Sequence, residues 1–221
     1  MTFFPDYHEH DDFQPAMLAL SHLVLQWNWA EHNFNVLLWQ YVGDFTTGSM
    51  YTAGLGNQSR ADALLALAKL HEKDEAILER IRFATKAFGR IKDNRNSLVH
   101  AHSISFAPDE DVKPKWLRAS KNPQNIHVYC HADTDDVVVN LEAACRLALF
   151  LGDLTIFYAA PTKRVPSLEI FPLPDALTPH PVPRIEPELS PQSSEASARQ
   201  AKRDRKATQR NDPKNRKKGQ E

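Results

Sequence analysis

The chain has 221 residues, 42% of them apolar and 25% charged, enough for one soluble globular domain with a core plus appendages. Its formal net charge of −1 hides an asymmetry: Lys and Arg number 14 against 20 Asp and Glu over residues 1–160, but 13 against 8 over 161–221. A mildly acidic body therefore carries a basic tail. The two cysteines, Cys130 and Cys145, sit in no CxxC or other ligand spacing. This excludes a disulfide scaffold and a zinc site and fits a reducing cytoplasm.

Residues 1–14, beginning MTFFPDYHEHDD, have no basic segment followed by an apolar run, so a flexible terminus is expected and no signal peptide. The first predicted helix is 15–42, with Pro15 in its first turn and Gly43 as its stop. Leu18, Leu25, Trp29 and Val36 share one side, while Leu20, Leu23, Trp27, Phe34 and Leu38 cover others. So wide an apolar surface suits a helix packed on several sides or across a dimer interface. Polar residues from His22 to Asn35 interrupt it, whereas a membrane span needs about 20 nearly unbroken apolar residues.

The stretch 43–58 has four glycines and reads as a loop, and Ser59 is expected to cap a short helix ending near His71. A third helix starts near Asp74, with the stripe Ile77, Ile81, Ala84, Phe88, Ile91 at steps of three and four. Continuing by four and then three gives Arg95 and Leu98, with Gly89 and the Asp93-Asn94 pair as candidate bends or interruptions. Over 103–131, SISFA, KWLRA and NIHVYC alternate like two or three antiparallel strands. Asp133 or Thr134 caps a last helix, which Pro161 ends, and Asp133, Asp135 and Asp136 suit its N-terminus electrostatically.

Nine prolines between 161 and 191 predict an extended, unpacked segment. Residues 199–218 hold ten Lys and Arg against two Asp, with no aromatic residue and no Val, Leu, Ile or Met, a composition that predicts disorder. The expected architecture is a four-helix bundle over 15–160 with a β insertion at about 103–131, then a tail over 161–221.

The chemistry concentrates at DNRNSLVHAHS, residues 93–103. Asn96 and His100 are four apart and share a helical face, Arg95 can reach round to it, and His102 lies two turns beyond Arg95 if the helix continues. A guanidinium matches two phosphate oxygens, an imidazole moves protons near neutral pH, and an amide positions either. That set suits a phosphodiester and needs neither metal nor cofactor. The structural alternative pairs Arg95 with Asp93 or Glu31 and leaves His100 as a favourable charge at a helix C-terminus.

RNSLVH at 95–100, late in a long helix of an α-bundle, resembles the R-N-x3-H signature of the HEPN superfamily (higher eukaryotes and prokaryotes nucleotide-binding domains). The likeness spans roughly 15–160 in architecture but only 95–100 in motif. It implies a helical homodimer built across the motif helix, commonly a metal-independent endoribonuclease of toxin or phage-defence systems. Arg95 and His100 would match the catalytic pair and Asn96 the polar residue beside it. His102 stands where a toxin-like branch carries a tyrosine, and the β insertion is not a core family feature. An antitoxin or other regulator remains unnamed. The alternative is a non-catalytic helical dimer that binds nucleic acid or protein.

Other candidates are weaker. His8 to Asp12 offers metal-ligand types in a terminus with no partner spacing. His22 and His32 fall near Trp29 on one face of the first helix, and with Glu31 they are accessory candidates for lining a cleft. Trp27, Trp29 and Trp39 read as core or interface. Cys145 reads as a small buried apolar residue, and GLGNQS at 54–59 lacks the lysine and strand of a phosphate loop. The basic tail would gather along RNA or any other polyanion.

Overall fold

The computed structural model describes residues 13–105, 113–120, 127–160 and 170–182. The N-terminal His8–Asp12 cluster and the basic stretch 199–218 lie outside the described residues. Among the described residues five helices form: α1 Phe13–Val42, α2 Phe45–Ala53, α3 Asn57–His71, α4 Glu75–Val99 and α5 Thr134–Ala159. Four strands accompany them: β1 Ala101–Ser105, β2 Lys115–Ala119, β3 His127–His131 and the two-residue β4 His180–Pro181. The protein is mainly α with a small antiparallel sheet. Among the described residues, no helix is long and apolar enough to cross a membrane.

The extra helix is α2, within the stretch expected to be loop. Gly43, at φ +118°, ends α1 in a conformation that favours glycine. Asp44 then accepts a hydrogen bond from the Thr47 N–H at 2.7 Å and starts α2. Gly48 is not a breaker but a contact: a Cβ there would lie 2.5 Å from the Trp39 ring. Trp39 Nε1 also donates to Thr52 Oγ1 at 2.8 Å, so the tryptophan fixes both turns of α2. Ser59 falls inside α3, whose N-cap is Gly56.

α1 and α5 run parallel at a constant sequence offset. Asn33 Nδ2 donates to the Ala148 carbonyl at 2.9 Å, and Gln40 Nε2 to the Thr155 carbonyl at 3.1 Å, each pair 115 residues apart. α4 runs the opposite way beside α5, since Asn94 meets Asn140 and Phe83 meets Phe150. Leu23, Trp27, Phe34 and Leu38 of α1, Ile81, Phe88 and Ile91 of α4, and Leu147 and Leu151 of α5 form the centre of the core. Phe88 stacks on Phe34 at 4.2 Å and lies 4.7 Å from Trp27. Of the apolar residues expected together on one side of α1, Leu18, Leu25 and Trp29 are exposed.

At one end of the bundle, the Tyr41 and Tyr158 hydroxyls both donate to Glu72 Oε1, at 2.7 and 2.6 Å. Burial comes first in raising both phenols well above the usual tyrosine range, followed by hydrogen bonds to Tyr158 and Glu72 for Tyr41 and to Glu72 for Tyr158. The shared carboxylate ties the C-terminal ends of α1 and α5 to the residue that ends α3.

α4 is continuous from Glu75 to Val99, so neither Gly89 nor Asp93-Asn94 interrupts it. Its buried stripe passes from Ile91 through Asn94 to Leu98, not through Arg95. Asn94 is 1% exposed. Its amide donates to Asn140 Oδ1 at 2.8 Å and to the Asp175 carbonyl at 2.7 Å, while its Oδ1 accepts from Leu177 N–H at 2.9 Å. Asn140 in turn donates to the Asp136 carbonyl at 2.8 Å. A buried amide is tolerated in a core only when its donors and acceptor are satisfied, and here they are.

These bonds overturn part of the expectation for the proline-rich segment. Residues 170–182 are largely extended, yet they are packed onto the body. Phe171 and Pro174 are buried, Arg90 donates to the Pro174 carbonyl at 3.0 Å, and β4 pairs with β3. The sheet order is β1-β2-β3-β4, antiparallel throughout. Trp116 and Cys130, facing partners in the register, point to the core. Burial pushes the Cys130 thiol up to about 11, which keeps it in the unreactive protonated form.

α5 begins with a capping box. Asp133 Oδ1 accepts from Asp136 N–H at 2.8 Å, Asp136 Oδ2 accepts from Asp133 N–H at 3.0 Å, and Lys113 bridges both carboxylates. Burial raises the Asp133 carboxyl, but the Asp136 backbone N–H and Lys113 outweigh it and hold the group below the usual range.

Two outcomes follow from these contacts. Asn94→Ala leaves a buried Asn140 oxygen and the 175–177 backbone without their partner. It should lower stability by about 2–3 kcal/mol, seen as a lower Tm and lost hydrogen-exchange protection at Leu177. Asp133→Ala should cost about 1 kcal/mol at pH 7. Because the folded carboxyl titrates below its unfolded value, that stabilisation is present above the unfolded pKa and lost as pH falls through the folded one. The gap between the two proteins in chemical denaturation should therefore narrow below about pH 4.

Candidate functional site

Successive helical residues turn about 100°, so directing Asn94 into the core puts Arg95 at the margin, where it is half-buried. Its guanidinium NH1 donates to Asn96 Oδ1 at 3.0 Å, and among the described residues its solvent-shielded Nε has no hydrogen-bond partner. Asn96 is also half-buried, and its backbone carbonyl accepts from His100 N–H at 3.4 Å. His100 is the C-cap of α4, with φ −93° and ψ 10°, and is exposed. Asn96 thus touches both neighbours, through its side chain to Arg95 and through its backbone to the His100 cap.

The carboxylates that would have neutralised Arg95 are engaged elsewhere. Glu31 pairs with Arg60 at 3.0 Å, and Asp93 with Lys92 at 3.2 Å. Among the described residues, no carboxylate pairs with Arg95. A half-buried guanidinium held by one neutral amide keeps its charge and most of its donor fork for an anion. The negative end of the α4 dipole favours the guanidinium here and opposes an incoming anion by about 0.3–1 kcal/mol, a small term beside a bidentate guanidinium contact.

The accessory candidates do not converge on this pair. α4 stops at Val99, so His102 belongs to β1, at the bulge between Ala101 and Ser103, and the helical stacking expected for it does not arise. Its side chain lies outside the described residues. His22, with Leu25 and Gln26, lines an open groove of about 670 Å³ between α1 and α5. Cys145, expected to be buried, is half-buried in the same groove. His32 is exposed and meets Trp39 edge-on at 6.4 Å, and Glu31 is the salt-bridge partner of Arg60. Among the described residues, none of the three shares a hydrogen bond, ion pair or ring contact with Arg95, Asn96 or His100. Nor do three His, Cys, Asp or Glu side chains gather as a metal-binding group there.

Asn94 is the polar residue that sequence reading misplaced. From Ile91, steps of four then three lead to Arg95 and Leu98, and steps of three then four lead to Asn94 and Leu98. Both are regular helical paths, and both pass through a polar side chain. Asn140, on the predicted last helix 46 residues later, was the signal that a buried amide had a partner. Comparisons of the chain with protein-family models, with curated proteins and with solved structures found no match.

The geometry separates a structural asparagine from an arginine with little structural work. Arg95→Ala removes one bond to an adjacent side chain and should change stability by less than about 1 kcal/mol, several-fold less than Asn94→Ala. Thermal melts of the two variants side by side make the comparison. A large loss on Arg95→Ala would assign the guanidinium to the fold.

Proposed function

We propose that the chain is a HEPN-type, metal-independent endoribonuclease that acts as a homodimer through Arg95, Asn96 and His100. The observation that carries this reading is a guanidinium that, among the described residues, no carboxylate holds. Arg95 donates to the Asn96 amide, whose backbone accepts from the exposed His100, while Glu31 and Asp93, the carboxylates expected as its partners, are paired with other cations.

In the proposed reaction the 2′-hydroxyl of RNA attacks the adjacent phosphorus, and an imidazole accepts its proton. The bond to the 5′-oxygen breaks, that oxygen takes up a proton, and a 2′,3′-cyclic phosphate and a 5′-hydroxyl remain. Arg95 stabilises the added negative charge on the non-bridging oxygens, and Asn96 keeps the guanidinium in place. One protomer brings one imidazole in this cluster, while the reaction needs a base and an acid. A second copy related by a two-fold axis supplies the other.

Support for self-association comes from α1 and α5. Leu18, Leu25 and Trp29 on α1, and Leu149 and Ile156 on α5, are each more than half exposed. Large apolar side chains left exposed on two helices are what a self-associating surface requires. Glu142 and Arg146, one turn apart on α5, border the groove and are self-complementary across a two-fold axis. RNA is the proposed substrate, and any regulatory protein is left open by the residues.

The test is cleavage of a labelled RNA by full-length protein with EDTA present. The wild type should yield cyclic-phosphate ends, and His100→Ala and Arg95→Ala should each be slower by about 10²-fold or more. Cleavage unchanged by both substitutions, or none by the wild type, would overturn the enzyme and leave a non-catalytic helical binding module.

A further inference from the structure

The sheet has two unlike faces. The register places Lys115 opposite His131, Leu117 opposite Tyr129, Ala119 opposite His127, and His180 opposite Tyr129. Antiparallel partners share a face, so Lys115, His127, Tyr129, His131 and His180 occupy the side away from Trp116 and Cys130. Lys115, His127 and His180 are exposed, and Tyr129 and His131 are half-exposed.

These side chains form a cluster. The Tyr129 ring centre lies 5.3 Å from that of His131 and 5.6 Å from that of His180, and the two imidazoles are 6.3 Å apart. The Lys115 ammonium sits over the Tyr129 ring, 5.5 Å from its centroid. The tyrosine thus orders the ammonium by a cation–π contact. His131 Nδ1 is 3.0 Å from the Lys113 carbonyl, which can only accept, so Nδ1 carries a proton and donates it. Nε2 is left for a ligand, and the ring donates to a phosphate oxygen only when Nε2 carries a proton as well. The carboxylates just after β3, Asp133 and Asp136, are held by Lys113 and by the start of α5.

We infer that this face, with Lys115, His131 and His180 around Tyr129, binds the phosphodiester backbone of single-stranded nucleic acid. Two imidazoles 6.3 Å apart, and an ammonium 5.5 Å from the centre of the tyrosine ring that both of them contact, can reach oxygens on one phosphate and its neighbour. Tyr129 is occupied in positioning Lys115, so recognition is of phosphate rather than of base, and little base selectivity follows. His180 belongs to the segment that Asn94 fastens to the bundle, so this part of the clamp depends on the buried amide. Neither Arg95 nor His100 contributes, and the surface does not require the chain to be a nuclease.

The experiment uses full-length protein carrying His100→Ala, so that cleavage cannot confuse binding. A fluorescein-labelled 20-nucleotide oligouridine is titrated by anisotropy over a series of salt concentrations with EDTA, with an oligodeoxythymidine of equal length in parallel. Lys115→Ala combined with His180→Ala should weaken binding about tenfold or more and flatten the dependence of log K on log salt by about one to two phosphate contacts. Lys69→Ala, at an exposed lysine on α3, should leave both quantities unchanged. Tighter binding of the ribo- or the deoxyribo-oligomer identifies the polymer. Equal affinity supports backbone recognition alone.

Undiminished binding by the double variant would overturn the assignment, as would an equal loss from Lys69→Ala. Displacement of the oligonucleotide by polyglutamate as readily as by polyuridine would reduce the face to a general polyanion patch and also overturn it. A wild type that never cleaves RNA, paired with a double variant that binds poorly, would remove the nuclease and keep this site.

Discussion

The arrangement of the last turns of α4 follows from one buried amide. Asn94 lies among apolar residues of α4 and α5, where an unpaired amide group costs on the order of 1–3 kcal/mol. Its three hydrogen bonds go to an asparagine of α5 and to the backbone of a segment more than 80 residues later. No local contact could supply all of them, so satisfying Asn94 ties together α4, α5 and residues 175–177. Two consequences follow. The segment that leads to β4 is held against the helices instead of leaving them, and Arg95, one residue on, is turned out of the core stripe.

The larger frame is set by α1 and α5. Gln26, Asn33 and Gln40 recur at intervals of seven, and the second and third reach carbonyls of α5 that are also seven apart. A side-chain amide that spans to a neighbouring helix fixes axial register, where apolar contacts alone permit sliding. Parallel neighbours also place like dipole ends together, a modest penalty. At their C-terminal ends the Tyr41–Glu72–Tyr158 triad adds directed bonds that hold this arrangement. α4, antiparallel to α5, then closes the core through Phe88 and Ile91.

Much of this was legible in the sequence where a single physical signal dominated. Asp74 and Asp133 mark helix starts because a short acidic side chain satisfies N–H groups that nothing else can reach, and both act as caps. The three strands of the insertion fall where alternation and turn residues put them, although β1 begins at Ala101. What failed needed knowledge of a distant partner. Gly48 reads as a loop residue until Trp39 is seen against it. The choice between Asn94 and Arg95 for the core depends on Asn140 and on a backbone near residue 175. The proline-rich segment looks too poor in local structure to pack, yet Phe171 and Pro174 supply buried surface and α4 supplies the hydrogen bonds. The sheet-face cluster was hidden for the same reason, since His180 joins Tyr129 and His131 only through strand pairing. The Arg95, Asn96 and His100 set was visible as a local motif, but its freedom from carboxylates depended on where Arg60 and Lys92 reach.

The two proposed surfaces differ in what each must overcome. An anion at Arg95 and His100 would approach the negative end of a helix of 25 residues, so the guanidinium must act against the dipole as well as against the desolvation of its own half-buried charge. The sheet face has no such opposing field, because strand dipoles largely cancel. Its Lys115, His131 and His180 side chains are exposed or half-exposed, which limits the strength of each contact but also removes most of the desolvation cost. A polyanion would therefore be collected more readily on the sheet than at the end of α4. The chain passes from His100 directly into β1, and β1 pairs with the strand that carries Lys115. A backbone held by the sheet would raise the local concentration of phosphate at the helix end, and the favourable binding there could offset the penalty at Arg95. In this proposal the dependence would run one way: the α4 cluster would gain from the sheet, whereas the sheet would need nothing from α4 beyond the amide that secures its last strand.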